Sequence, residues 1–382
     1  MVSVFWTLGR VIAQPSEFHG EPMYKGMPLS FWVEAFDGPT WSSDLIPEIK
    51  DIKGGPAAQE AVVHIGTNAI PFLIHWIGGE PISATDLSKL IARDLFLPSF
   101  QHEPPDAGRA YVHAVGALQA FRVLGPAARS AVPALASLIT NQFGAGAHSS
   151  AIDQGDVQPP GAFWVLQALG AIGPESLPVL FTIATNRAYT HMTRVIALGA
   201  ARAAAGTNEQ AVLPVLLQCA EENDEEVDRG AVGVLSTCGQ HDQRVFVALT
   251  NALQHPALGV RRSAIDALPP FGSQALPALL PVLLRMFDDT NDGMRYIALN
   301  ALIRTEPQAL TNSAVLAMMA EGLRSEDSKK KFWAAKVLRL AGQQASGKGR
   351  KPSIADLDLA GTFQEATNTL RQLAPQLLDG TP

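Results

Sequence analysis

Residues 173–206 read GPESLPVLFTIATNRAYTHMTRVIALGAARAAAG, a segment that begins and ends on glycine. Gly173, Gly206, Gly239 and Gly272 recur at a constant interval of 33 residues, a period that marks a repeat rather than an unpatterned chain. Working outward, the same landmark closes an apolar helical stretch at Gly66, Gly125, Glu306 and Gly342. The successive intervals are then 59, 48, 33, 33, 33, 34 and 36. Four residues before each landmark stand Val62, Phe121, Leu169, Arg202, Leu235, Leu268, Leu302 and Leu338. Five before stand Ala61, Ala120, Ala168, Ala201, Val234, Ala267, Ala301 and Val337, and small or apolar residues recur at minus eight from Ala58 to Ala334. A fixed large residue beside a fixed small one defines the buried face of a helix. The closing glycine fits a helix stop in which a missing Cβ removes the steric cost of positive φ.

A second helix follows each stop after a short turn and opens on Pro71, Pro133, Pro178, Pro214 or Pro277. Proline is tolerated there because the first-turn N–H has no intrahelical acceptor. Positions +2, +3 and +6 from the proline are apolar and expected to bury. Positions +4 and +8 are mostly polar: His75, Ser137 and Asn141, Thr182 and Asn186, Gln218 and Glu222, and Arg285 after Pro281. These lie on one line of the helix, a turn apart. Two antiparallel helices per unit, repeated about every 33 to 36 residues, predict an all-α superhelical solenoid of about eight hairpins. Its second helices are expected to line the concave face.

Ankyrin repeats need a T-P-L-H-x-A start and tetratricopeptide repeats a W-x2-L-G-x2-Y pattern, and the units have neither. The joints NDEEVDRGAVGVLSTCG, PALGVRRSAIDALPPFG and TNDGMRYIALNALIRTE resemble the HEAT pattern, a bend leading into V-R-x-x-A-x-x-A-L. The matching residues are Val227, Arg229 and Ala231; Val260, Arg261 and Ala264; Met294, Arg295 and Ala298. The resemblance implies that the acidic and arginine positions bond between neighbouring units and cap helices. EPMYKGMPLSFWVEAF (residues 21–36) and AVVHIGTNAIPFLIHWI (61–77) are further similar to the opening of a group of uncharacterised bacterial HEAT-repeat proteins of Verrucomicrobia-type genomes. That group opens E-P-x-Y-x-G-K-x-L-S-x-W-L and continues I-G-T-N-A-I-P, and Met27 stands here in place of its usual basic residue. The group implies an architecture and no known activity.

The remaining sequence divides around the repeats. Residues 1–20 form an apolar arm that reads either as a clipped signal or anchor or as an unstructured extension, which leaves the compartment open between cytoplasm and envelope. Residues 21–55 are expected to form an arm with a short helix, and 56–342 the solenoid, with insertions at 80–109 and 144–160. A helix is expected over 86–97, a basic linker over 343–355 and a capping helix within 356–382. No run of about 18 uncharged apolar residues appears, so no complete membrane span is expected and the chain reads as soluble.

Chemistry-bearing signals are sparse. DDTNDG (288–293) resembles a calcium loop, but position 12 is Leu299 in place of a bidentate Glu, which leaves a helix-joining bend. Iron-binding HEAT-like deoxyhypusine hydroxylases use four His-Glu pairs, and His102-Glu103 is the one pair here. The motifs of zinc peptidases, α/β-hydrolases and phosphate loops are missing. His64 and His113 read as packing or surface residues, and Cys219 and Cys238 as buried free thiols. No cofactor or metal is expected. The net charge of −7 argues against a general grip on phosphates. Charge is nonetheless uneven, with an acidic bend at Glu221, Glu222, Asp224, Glu225, Glu226 and Asp228 and another at Asp288, Asp289 and Asp292. Lys329, Lys330, Lys331, Lys336, Arg339, Lys348, Arg350 and Lys351 make the far end basic, a polarity that would steer a matching partner. The expected function is a non-enzymatic scaffold that takes a protein or peptide along His75, Ser137, Asn141, Thr182, Asn186, Gln218, Glu222 and Arg285. The competing readings are a nucleic-acid binder and a HEAT-like bilin lyase.

Overall fold

A computed structural model describes residues 20–37, 54–78, 106–143, 160–287, 292–345 and 363–377. They form two compact units, Met1–Val215 and Leu216–Pro382.

The first unit opens on a β-hairpin, β1 (Met23–Tyr24) paired antiparallel with β2 (Met27–Pro28). It continues through α1 (Leu29–Glu34), α2 (Gly54–Ile65), α3 (Ile70–Ile77), α4 (Asp106–Leu124) and α5 (Val132–Phe143). Then come α6 (Pro160–Ile172), α7 (Leu177–Thr185) and α8 (His191–Ala205). Helix α9 (Leu213–Cys219) spans the division between the units. The second unit holds α10 (Glu225–Leu235), α11 (Gln243–Ala252), α12 (Leu258–Ala267) and α13 (Leu276–Phe287). It ends with α14 (Asp292–Thr305), α15 (Ser313–Arg324), α16 (Ser328–Ala345) and α17 (Phe363–Leu373).

Packing runs between sequence neighbours. In the first unit α4 lies on α6 and α6 on α8, while α3, α5 and α7 each pack on the first helix of the following hairpin. In the second, α10 packs on α12, α14 on α16, and α11, α13 and α15 on α12, α14 and α16. The interior consists of the residues that the period selects. At minus four, Val62, Phe121, Leu169, Leu268, Leu302 and Leu338 are all fully buried. At minus eight, Ala58, Ala117, Val165, Leu198, Ala231, Ala264, Ala298 and Ala334 are buried too, so small and large residues interdigitate between first helices. Arg202 breaks the pattern with a purpose of its own: its guanidinium donates to Gly206 O at 2.9 Å and to Glu209 at 2.8 Å across the joint.

The stop glycines behave as the spacing requires. Gly66, Gly125, Gly173, Gly206, Gly239 and Gly272 all have positive φ. At Gly206, φ 57° with ψ −118° lies in a region open to glycine and strained for any L side chain. Two landmarks differ. Glu306 ends its helix in extended backbone, φ −157°, and therefore needs no glycine. Gly342 is no stop, because α16 continues to Ala345. A Cβ there would come within 2.8 Å of Thr369, so this glycine admits α17 rather than ending a helix.

The opening segment carries a hairpin that the periodicity did not suggest. Lys25 and Gly26 both adopt positive φ, 47° and 80°, the geometry of a two-residue turn between paired strands. Pro28 precedes α1 and has no side-chain cap to offer. Glu21 takes that role, accepting from Ser30 N at 3.0 Å and Ser30 Oγ at 2.8 Å. Trp32 Nε1 donates to Tyr24 O, and Tyr24 donates its hydroxyl proton to Glu60 at 2.5 Å, tying the hairpin to α1 and α2. With Lys25 also bonded to it, Glu60 is held below the ordinary carboxylate range.

Val112–Asn141 is one continuous stretch long and apolar enough to cross a membrane by length and composition, against the expectation that no segment would be. It is two helices, α4 and α5, separated by a 3-10 turn at Gly125, φ 49°. Helix α4 packs on α1, α2, α3 and α6, as a core helix does. Helix α4 begins at Asp106, so residues 106–109 of the first expected insertion are helical. Pro160, the last residue of the second expected insertion, opens α6; the rest of both insertions, the expected helix at 86–97, residues 1–19 and most of the basic linker lie outside the described residues. Near the end of the chain, the expected cap contains α17 and a 3-10 turn at Pro375–Leu377.

Candidate partner-binding ridge

The second helices owe their orientation to their prolines. Pro71, Pro178 and Pro214 sit in or beside the first turn and remain exposed, while Leu73, Leu180 and Leu216 two residues on are buried. The +4 position then faces solvent. His75, Ser137, Thr182, Gln218 and Pro281 are all exposed. At +8, Asn141, Asn186 and Arg285 are exposed and Glu222 is half-buried.

Within the first unit the ridge is small and uncharged beyond His75. Asn141 donates to Ser137 Oγ at 3.2 Å, a turn apart on α5. Thr182 Oγ donates back to Pro178 O at 2.8 Å, and Asn186 accepts from Ala188 N at 2.9 Å, closing α7. In the second unit Glu222 lends its backbone N–H to Asp228 at 3.1 Å.

Two second helices lack the proline, so counting from it missed their ridge residues. On α11, Val245 is buried, Phe246 half-buried and Val247 exposed, which makes Val247 and Asn251 the ridge positions. On α15 the same order puts Ala317 and Glu321 there. The signal available in sequence was the apolar pair before each exposed position, which needs no proline. Val247, 48% exposed, joins Pro281 and Ala317 as an apolar point on a mostly polar line.

The residues at the start of the first helices have structural work. Arg194 is 1% exposed, and its Nε donates to Ala184 O at 2.7 Å near the end of α7. Arg261 donates to His255 O and Pro256 O after α11, at 2.7 and 2.6 Å. Arg295, fully buried, donates to Phe287 O at the end of α13. Arg194 and Arg295 thus cap carbonyls at the C-terminal end of the preceding helix, the negative end of its dipole, while Arg261 bonds carbonyls of the joint beyond it. Arg229 does not share this role. It is exposed and pairs with Glu226, while buried Asp228 occupies the inward position with the opposite charge. Asp228 accepts from the Glu222 N–H, and its other oxygen lies 3.2 Å from His255 Nε2. His255 Nδ1 accepts from Ala257 N at 3.1 Å, which fixes the ring beside the joint.

Burial pushes the Asp228 carboxyl above its ordinary value of 3.8. The folded chain therefore holds this proton to higher pH than the unfolded chain, and the site's contribution to stability falls as pH rises through that window, then levels off. Asp228→Asn removes the titration. Denaturant unfolding between about pH 3 and about pH 7 is expected to show the variant gaining on the wild type as pH rises, and a difference independent of pH would contradict the assignment.

His64 and His113 pack as expected, His64 against Tyr24 and His113 against Trp76, with His113 Nε2 2.8 Å from Glu34. Cys219 and Cys238 are buried free thiols. Among the described residues no group of three or more His, Cys, Asp or Glu side chains could hold a metal ion. Leu299, at the twelfth position of the calcium-like string, is fully buried in α14.

Residues 186–269 match the family model described as HEAT repeats. This segment carries HEAT repeats. Comparison with curated proteins gives no match. Among solved structures, the chain is similar to YibA of Escherichia coli, at 15% identity and TM-score 0.42, over 68% of this chain and 88% of that one. It is also similar to Kap95 in its complex with Nup1, at 11% identity and TM-score 0.46, over 92% of this chain and 52% of that one. Kap95p with RanGDP matches at 12% identity and TM-score 0.42, over 93% and 48%. The chain spans about half the length of the Kap95 chains it matches. The HEAT match and the stacked hairpins together make the fold an all-α superhelix.

Proposed function

We propose that this HEAT-repeat chain is a non-catalytic scaffold that holds a protein or peptide along the ridge of its second helices. The observation that carries the reading is the recurrence, within each unit, of a solvent-facing position on the second helices, at +4 from the proline on α3, α5 and α7 and on α13, and after the apolar pair on α11 and α15. A repeated line of mixed hydroxyl, amide and charged groups suits an extended partner, which can meet one or two side chains per hairpin. The alternative of a nucleic-acid grip would need cations along the same line. Arg285 is the one Lys or Arg among the described ridge residues. A bilin-lyase-like activity has no residue on the ridge to carry it. We further propose that the chain belongs with the uncharacterised bacterial HEAT-repeat group of Verrucomicrobia type. In support, Glu21, Tyr24, Gly26, Ser30 and Trp32, which carry that resemblance, act together in the opening hairpin and cap.

The test replaces Gln218, Glu222 and Arg285 together with alanine and compares proteins cross-linked to each form in lysate of the source cells. Loss of a specific protein from the variant is expected while far-UV circular dichroism is unchanged. An identical set of captured proteins would overturn the ridge, and enrichment of nucleic acid in place of protein would favour the alternative.

A further inference from the structure

The second unit carries opposite charge on two surfaces, and of their residues only Glu222 also lies on the ridge. On α16, Lys329, Phe332 and Lys336 follow one line of the helix at spacings of three and four. Lys329 is exposed, and Phe332 is 50% exposed despite its size. Lys336 Nζ lies 4.5 Å from the Phe332 ring centre and 5.5 Å from that of Trp333, a cation held over two aromatic faces. Arg339, three residues past Lys336, is half-buried on the same line, while Lys330 and Lys331 lie off it around the helix. The opposing carboxylates nearby are Glu326, Asp327 and Glu365. Asp327 is engaged in capping α16 through the Lys329 N–H, leaving a surplus of positive charge.

The first hairpin of the same unit has the reverse surplus. Glu221 and Glu225 are exposed, and Glu222, Asp224 and Glu226 half-buried, around one bend, with Arg229 the adjacent cation. Helices α11 to α15 stand between the two surfaces in a stack whose contacts pass from neighbour to neighbour. The acidic bend therefore cannot close on its own α16.

We propose that the basic and aromatic face of α16 docks the acidic bend of a second copy of this chain. The complementarity is one of charge, the three cations Lys329, Lys336 and Arg339 against the carboxylates of the bend, with Phe332 supplying an apolar anchor among them. Because the two patches differ, the contact is heterologous: each copy offers its bend to one neighbour and its α16 to another, and association grows with concentration.

Sedimentation velocity of the full chain decides it. At about 50 mM salt the wild type is expected to shift to larger species as concentration rises, and to return to monomer at about 500 mM, where screening is short-ranged. Lys329→Glu, Lys336→Glu and Arg339→Glu together, or Glu221→Lys, Glu225→Lys and Glu226→Lys together, which leave the ridge residues untouched, are each expected to weaken association at least about tenfold. Mixing the two triple variants restores it, since every bend then meets an α16 of opposite sign. Circular dichroism and thermal unfolding confirm that each triple variant is folded. A wild type that stays monomeric at low salt overturns the proposal, as does association that neither reversal weakens or that mixing fails to restore.

Discussion

Gly116→Ala is expected to lower the unfolding free energy by about 2 to 4 kcal/mol, a large effect for one added methyl group. Gly116 lies on α4 where α1 crosses it, and a Cβ there would fall 2.3 Å from Val33 O and 2.5 Å from Val33 Cγ1. Val33 is 1% exposed and belongs to a six-residue helix, so relief comes by lifting α1 away. That movement uncovers Leu29 and Trp32, both now buried. The variant should therefore also become sensitive to protease within residues 20–37. Gly199→Ala is the matched control. It is another helical glycine, but its Cβ would meet nothing within 4 Å, so the substitution should stabilise by about 0.5 to 1 kcal/mol. Equal effects at the two positions would show that the close approach of α1 and α4 is not what selects glycine.

Arg194→Ala is the second large effect, a loss of about 3 kcal/mol. Removing the side chain empties buried volume and withdraws the donor from Ala184 O, whose helix ends there. Arg194→Met separates the two contributions, since it restores much of the volume without the hydrogen bond. Unfolding free energies are expected in the order wild type, Met, Ala. A methionine variant as stable as the wild type would mean that the carbonyl cap contributes nothing.

The period was legible because it arises from backbone geometry and close packing, which few residue types satisfy. A positive-φ joint asks for glycine, and first helices in mutual contact ask for alanine at minus eight, so six joints and the core face stood in plain view. Gly342 misled because the same residue serves a second purpose, the approach of Thr369. The hairpin at 23–28 was hidden because two residues per strand are too few for alternation to register. Ridge positions could be read where a proline set the frame, and were missed at Val247, Asn251, Ala317 and Glu321 where none did. The inward role of Asp228 was illegible because the HEAT resemblance draws attention to Arg229 one residue later. Which of the two faces the preceding hairpin depends on the rotation of α10, and its periodicity tolerates either.

The neighbour-to-neighbour packing within each unit has a consequence for how such a chain changes length. A hairpin meets its core partners through the same small and large positions as the hairpins on either side of it. Duplicating or deleting one whole 33-residue period therefore returns equivalent surfaces to each other. Loss of a fraction of a period instead puts a first helix against the wrong face and exposes its alanines. Within a unit, growth by whole periods is neutral to the core, while single-residue insertions are tolerable only in the joints.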